Sequence, residues 1–443
     1  MAFSTALTDT IPTNRRTEIL AGISTFLATM YIIVVNPAIL SQAGLPFSGV
    51  LTATVLLSFV CSLMMGLYAR NPIVVAPGMG LNAFFTFTAV KTMGLRPEVA
   101  LGAVFWAGVL FLLLSIGNVR SALVRTIPHP LRYAVSAGIG LFITLIGFEN
   151  AKFIVANPAT LVSITRLNDP IVLTFVFGLL LTSVLVVRNV PGAIIIGIVL
   201  TTLAAWPIGR FWGDASAINF GNRELVSFQG IWAAPDFSLI GQVDLVNSLQ
   251  WSLWPVIFAF VFTDLFDSLS TFVGVAEAGN LYGPDGHPRN LNQSLLTDAV
   301  ATALAGLLGT SPGTSYIESA VGIAQGGRTG LTAIVAGCCF LPFLFLSPLL
   351  SIIPAIATAP ALVLVGAFMM KPITRINWGQ LDDALPAFLA LVLIPFSYSI
   401  TQGIIWGFLS WTVIKVAVGK GREVPVGLWI VDGFCVLALF AGH

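Results

Sequence analysis

Apolar stretches of 14 to 23 residues follow one another along almost the whole chain, and no other feature limits its fold so strongly. A bilayer hydrocarbon core about 30 Å thick is crossed by about 20 apolar residues in helix, and by fewer where a helix breaks inside the protein. Fourteen such segments, numbered 1 to 14, fall at 18–40, 48–67, 73–90, 99–116, 131–148, 171–187 and 191–208, then at 253–273, 295–308, 310–324, 331–346, 354–370, 385–399 and 403–418. Only 9% of the 443 residues are charged, against roughly 25% in an average soluble domain, too few to cover a water-soluble fold of this length. The expectation is an all-α polytopic membrane protein with fourteen transmembrane segments.

A polar stretch, 209–247, divides the segments seven and seven, and carries Asp214, Asn219, Asn222, Arg223 and Glu224 with nothing that looks catalytic. Lysine and arginine accumulate on cytoplasmic loops. With the N-terminus inside, fourteen of the twenty fall on inner loops or segment ends, and six (Lys91, Arg96, Lys152, Arg166, Arg210, Arg223) fall outside. Both termini are therefore expected in the cytoplasm. Seven being odd, the second set starts from the opposite face, which makes the halves inverted repeats, common in secondary transporters. The expected divisions are 1–17 as a cytoplasmic N-terminus, 18–208 and 248–420 as the repeats, 209–247 as an extracytoplasmic loop, and 421–443 as a C-terminal interfacial segment. Leu428 to Phe440 is short for a crossing and contains Asp432. Residues 1–17 lack an apolar core before a small-residue cleavage site, so segment 1 is expected to do the targeting.

Net charge is +1, which offers no face for nucleic acid. The four cysteines (Cys61, Cys338, Cys339, Cys435) lie in apolar stretches and give neither a disulfide framework nor metal spacing. No cofactor or metal is expected.

Two segments break at matching places. In segment 3, Asn71-Pro72-Ile73-Val74-Val75-Ala76 reads as a short extended run, Pro77-Gly78-Met79-Gly80 interrupts it, and helix resumes at Leu81-Asn82. In segment 10, Gly309-Thr310-Ser311-Pro312-Gly313-Thr314-Ser315 does the same before Tyr316-Ile317-Glu318-Ser319. Paired interruptions at corresponding positions of two halves point to a transporter's binding site. The plainer reading, that both are kinks, stays open, since glycine and proline are common in membrane helices; a third pair, Pro191-Gly192, stands at a helix start.

Acids supply the second signal. Asp264 and Asp267 lie inside segment 8, three apart and so on one helix face, and Glu318 follows the break in segment 10. A carboxylate at membrane depth costs about 2.5 to 3.5 kcal/mol even on the lenient insertion scale, and is rare without a role. For Asp267, near the inner end, a helix-capping or cross-linking role is as good an account. His129, His287 and His443 lie in loops or at the terminus. An intramembrane proton would therefore ride on a carboxylate: Asp264, Glu318 or Asp267. Among neighbouring aromatics, Phe262 is a candidate to stack on a planar ligand.

These motifs are similar to those of a known family. Ala76-Pro77-Gly78-Met79-Gly80-Leu81-Asn82-Ala83-Phe84-Phe85, Asp264-Leu265-Phe266-Asp267 with Val273-Gly274-Val275-Ala276, and Thr314-Ser315-Tyr316-Ile317-Glu318-Ser319 with Gly326-Gly327-Arg328-Thr329-Gly330 closely resemble the AzgA-like purine permeases of the nucleobase cation symporter 2 superfamily. The resemblance runs from about Glu18 to the C-terminus. It implies a seven-plus-seven inverted repeat with core and gate domains and short antiparallel strands in segments 3 and 10. It implies a secondary transporter of the plasma (inner) membrane that imports purine bases by proton symport, and is compatible with a homodimer. Substrate contacts are expected at Asn82, Asp264 and Glu318, with Phe262, Thr314, Ser315 and Ile317 beside them. The form of segment 3 looks more like guanine and hypoxanthine carriers, adenine remaining open. Two departures, Ser268-Leu269-Ser270-Thr271 and Gly313, bear on substrate preference. The rivals are an anion exchanger or channel of the same architecture, against which two acids beside the helix breaks argue, and an intramembrane enzyme, for which no nucleophile with a base is in place.

Overall fold

A computed structural model describes residues 14–116, 128–213, 215, 224–226, 228, 230–282 and 288–441. Asp214, Asn219, Asn222, Arg223, His287 and His443 lie outside the described residues, as does the side chain of Ser270. Helix occupies most of the expected apolar segments, because in hydrocarbon each backbone N–H and C=O must find a protein partner, which helix supplies within the segment. Among the described residues, eight helices are long and apolar enough to cross a membrane, in segments 1, 2, 4, 5, 6, 8, 12 and 14. Segments 7 and 13 are shorter helices, Ala193–Ala205 and Leu381–Phe396. Segment 9 begins earlier than its hydropathy suggests, at Leu291, and runs to Leu308. The C-terminal stretch is one helix, Val426–Ala441, whose Asp432 accepts from Thr412 Oγ1 at 2.5 Å.

The packing divides in two. Segments 4 and 9, 11 and 1, 11 and 2, and 8 and 4 pack together, while 5, 12, 13, 14, 6 and 7 pack among themselves. Exchanging each segment with the one seven places along turns the 4–9 pair into 11–2, the 1–11 pair into 8–4, and the 5–13 pair into 12–6. All of these contacts are present, as an inverted repeat requires. The first group is the core and the second the gate.

Segments 3 and 10 are broken as expected. In segment 3, strand β1 (Val75–Pro77) leads into a helical turn, Met79–Ala83, and then a π-helix, Phe84–Thr92. A small hairpin of β2 (Ile154–Asn157) and β3 (Leu161–Ile164) lies between segments 5 and 6. In segment 10, strand β4 (Gly313–Ser315) is followed by a 3-10 turn, Ile317–Ser319, and a short helix, Ala320–Ala324. Strands β1 and β4 pair antiparallel, with Val75 opposite Ser315, Ala76 opposite Thr314 and Pro77 opposite Gly313. Pairing gives the interrupted backbone the partners that helix would have supplied. Gly192, with φ 70°, takes the left-handed turn at the start of segment 7.

Segments 6 and 7 meet through small residues. A Cβ on Gly178 would come within 2.7 Å of Thr201 Cγ2, and one on Gly197 within 2.6 Å of Thr182 Cγ2. Gly178 thus holds a close helix contact of the small-residue kind.

Candidate functional site

The strand pair carries the polar residues of both breaks. Gly78 N donates to Pro312 O at 2.9 Å, and Tyr316 N to Val74 O at 3.0 Å, which closes the pair at both ends. Tyr316 reaches back to Pro77 O at 2.5 Å through its hydroxyl. The glycines admit this closeness: a Cβ on Gly78 would stand 2.5 Å from Thr314 Cγ2, and one on Gly313 2.9 Å from Ala301 Cβ. Sequence suggests that these glycines clear room for a ligand. In the structure they clear room for the opposite strand and for segment 9.

Glu318 stands in the 3-10 turn directly after β4, half-buried, and accepts from the Tyr31 hydroxyl at 2.7 Å. It lines an open cavity of about 570 Å³ together with Ile317 from the core and, from the gate, Ala367, Phe368 and Met370 of segment 12 and Lys371 just beyond it. Ile317 also packs over Gly274 of segment 8. Asp267 is within electrostatic reach of Glu318 and of Asp298. The cavity thus lies where core meets gate, with a carboxylate in its wall.

Asp264 is fully buried, behind β4. Its Oδ2 accepts from Thr302 Oγ1 at 2.5 Å, and Thr302 Oγ1 also approaches Gly313 O at 3.2 Å. Its Oδ1 is 3.4 Å from the Ser268 hydroxyl, which in turn meets Thr314 Oγ1 at 3.1 Å. A chain of hydroxyls therefore joins Asp264 to the strand pair. Ser315 donates to Asp298 Oδ1 at 2.9 Å. Thr302 and Asp298 lie one helical turn apart on segment 9 and support the same strand.

Asn82 is also fully buried and is not among the cavity-lining residues. Its carbonyl oxygen accepts from Ser311, and Asn36 Nδ2 donates to Thr54 at 2.7 Å and Thr310 at 2.8 Å in the same network. Phe262 stacks against Phe258 and meets Phe408 of segment 14 edge-on, with 6.3 Å between ring centroids in each case. Two positions from Asp264 along a helix, it points to a different side from the acid. The structure brings together Asp264, Thr314, Ser315, Ile317 and Glu318, with Asp267 nearby; it sets Asn82 behind them and Phe262 against the gate.

Five contributors were not singled out from sequence, Tyr31 among them. Asp298 lies at membrane depth in segment 9 and answers to the rule that finds Asp264. Thr302 and Asn36 carry no signal beyond being polar in an apolar segment. Glu18 is buried and accepts from Arg328 N at 3.0 Å, Thr329 N at 3.3 Å and Thr332 Oγ1 at 2.5 Å, capping the first turn of segment 11. The Gly326-Gly327-Arg328-Thr329-Gly330 run is the loop that receives this carboxylate, which suits the amide-rich start of a helix. Among the described residues no group of three or more His, Cys, Asp or Glu is placed to hold a metal.

A sequence profile described as "Permease family" matches residues 16–405, nearly the whole of this architecture. The chain belongs to that family, in its AzgA-like branch. Adenine permease AdeP of Escherichia coli (strain K12) is 42% identical over 429 residues, covering 96% of this chain and 93% of the relative. Guanine/hypoxanthine permease PbuO of Bacillus subtilis (strain 168) is 41% identical over 416 residues, covering 93% and 94%. Among solved structures, the transmembrane domain of the cyanobacterial bicarbonate transporter BicA superposes with a TM-score of 0.61 at 16% identity, over 88% of this chain and 97% of that one. SLC26A9 superposes with a TM-score of 0.63 at 10% identity, over 90% and 65%. These likenesses give the fold: the seven-plus-seven repeat of core and gate. The AzgA-like permease is a multi-pass membrane protein and a transporter, not an enzyme.

Proposed function

We propose that this permease imports purine bases across the plasma (inner) membrane by proton symport, with both termini in the cytoplasm. The observation that carries the proposal is Glu318, a carboxylate fixed at the strand pair and exposed to a cavity between core and gate. A purine presents a flat face and an edge of N–H, carbonyl and amino groups. Glu318 accepts from a ring N–H, backbone amides around Ser315 to Glu318 meet a carbonyl, and Ile317 and Phe368 cover the ring. A site built to hydrogen-bond an edge rejects analogues lacking those groups, because its own polar atoms are then left unpaired.

Asp264 is the proton-coupling acid in this reading. It is linked to the strand pair through Thr302, Ser268 and Thr314, so a change in its charge reaches the binding strand without contact with the base. Asn82 acts behind the site, holding Ser311 and the break in segment 10. The cavity opens beside Lys371, assigned to the inner side, and Thr88 of segment 3 donates to Tyr398 O of the gate at 2.9 Å. This is the arrangement of an inward-facing carrier whose core moves against the gate to exchange access.

The same fold also serves proteins named as bicarbonate and anion transporters. Carboxylates in the cavity wall and behind it oppose an anion, which favours the neutral base. The two curated relatives named for different purines are equally similar to this chain and give no preference between adenine and guanine or hypoxanthine. Counterflow in proteoliposomes with radiolabelled adenine, guanine and hypoxanthine, each against sulfate and bicarbonate, tests the proposal. Exchange of a purine that neither anion inhibits supports it; exchange of an anion with no purine flux refutes it.

A further inference from the structure

Within the site just proposed, one partner of Glu318 has no role yet. Tyr31 lies between the two helical pieces of segment 1, Arg15–Thr29 and Ile32–Leu40, and is 1% exposed. Its hydroxyl donates to Glu318 Oε1 at 2.7 Å across 287 positions of sequence. The backbone on either side is fixed, with Met30 N donating to Phe26 O at 2.7 Å and Val35 N to Tyr31 O at 3.0 Å. We propose that Tyr31 is a positioning residue of the substrate site, which holds one oxygen of Glu318 so that the other meets the purine N–H.

Two further observations support this role. First, segment 1 is fastened to segments 10 and 11 on both sides of the bond: Asn36 donates to Thr310 at 2.8 Å on one, and Ser24 donates to Gln325 at 2.6 Å while Glu18 caps segment 11 on the other. Tyr31 therefore travels with Glu318, whereas the opposite wall of the cavity, Ala367 to Lys371, belongs to the gate. The acid keeps its orientation while access alternates. Second, a phenol donates to a carboxylate and accepts from a carboxylic acid. Tyr31 thus remains a partner of Glu318 whether or not the acid holds a proton, which a donor-only residue would not do.

The inference rests on the purine-site reading, and the test separates the two. The full chain carrying Tyr31→Phe, Glu318→Gln or both is purified, and equilibrium binding of radiolabelled adenine, guanine and hypoxanthine is measured beside the thermal unfolding midpoint. Removing a hydrogen bond to a charged group is expected to weaken binding about tenfold or more, with KM raised and the maximal counterflow rate near that of the parent. On the Glu318→Gln background the amide oxygen still accepts from Tyr31 but carries no charge, so Tyr31→Phe is expected to change binding by less than it does in the parent. If Glu318→Gln weakens binding but Tyr31→Phe binds within twofold of the parent, or weakens binding equally on both backgrounds, Tyr31 does not act through Glu318 and the inference falls while the site stands. If Glu318→Gln itself binds as the parent does, the site reading falls with it.

Discussion

Gly78→Ala adds one methyl group at the end of the strand pair. The new Cβ would stand 2.5 Å from Thr314 Cγ2 and 3.0 Å from Leu81 Cδ1, where carbon atoms at rest keep about 3.5 to 4.0 Å. The methyl intrudes by about 1 Å on a residue that also carries the Ser268 contact. Overpacking of this kind costs about 1 to 3 kcal/mol, which corresponds to between about fivefold and a hundredfold in an equilibrium constant. Initial uptake of purine is expected to fall within that range, with the protein still inserted and the unfolding midpoint lowered. Thr314→Ser removes the obstructing Cγ2 and keeps the hydroxyl, so Gly78→Ala combined with Thr314→Ser should recover most of the lost rate. Gly433→Ala, with nothing within 4 Å of the added atom, is the control. Parental uptake by Gly78→Ala, or no recovery in the double variant, would refute close strand packing as the reason for glycine.

Three other outcomes follow from the geometry. Asp264→Asn keeps the volume and a partner for Thr302 but removes the titratable group; gradient-driven accumulation should be lost while counterflow persists, and accumulation unchanged at every pH would remove Asp264 from coupling. Glu318→Gln should weaken purine binding by at least tenfold in an equilibrium assay, against a parental affinity for Asp298→Asn, whose carboxyl holds the strand from behind through Ser315; equal affinity in both variants would place the site elsewhere. Glu18→Gln loses a charged cap that accepts from two backbone amides and one hydroxyl, and should lower stability by about 1 to 3 kcal/mol with purine affinity retained, as read from unfolding midpoints in detergent.

Recurring apolar length made the fold legible. Most apolar segments are long enough to be seen without their neighbours, and a helical backbone satisfies itself, so hydropathy places the helices to within a turn. The breaks at Pro77-Gly78 and Pro312-Gly313 were legible for the same reason, as failures of helix. What sequence does not disclose is how the two breaks meet: the register that sets Ala76 opposite Thr314 depends on tertiary packing of residues more than two hundred positions apart. The acids show a similar division. Asp264 and Glu318 stand out because charge at membrane depth is costly, but their partners Thr302 and Tyr31 are ordinary residues of helices and gain meaning only from proximity. Phe262 shows the converse, since nearness in sequence to Asp264 leaves it on another side of the helix, against Phe408.

Coupling of purine to proton is tested most directly by uptake into proteoliposomes with an imposed pH gradient. With the external side acidic, the labelled base should accumulate above its external concentration, and a protonophore should reduce it to equilibration without abolishing exchange. Accumulation that ignores the protonophore, or equilibration alone under every gradient, would contradict proton symport.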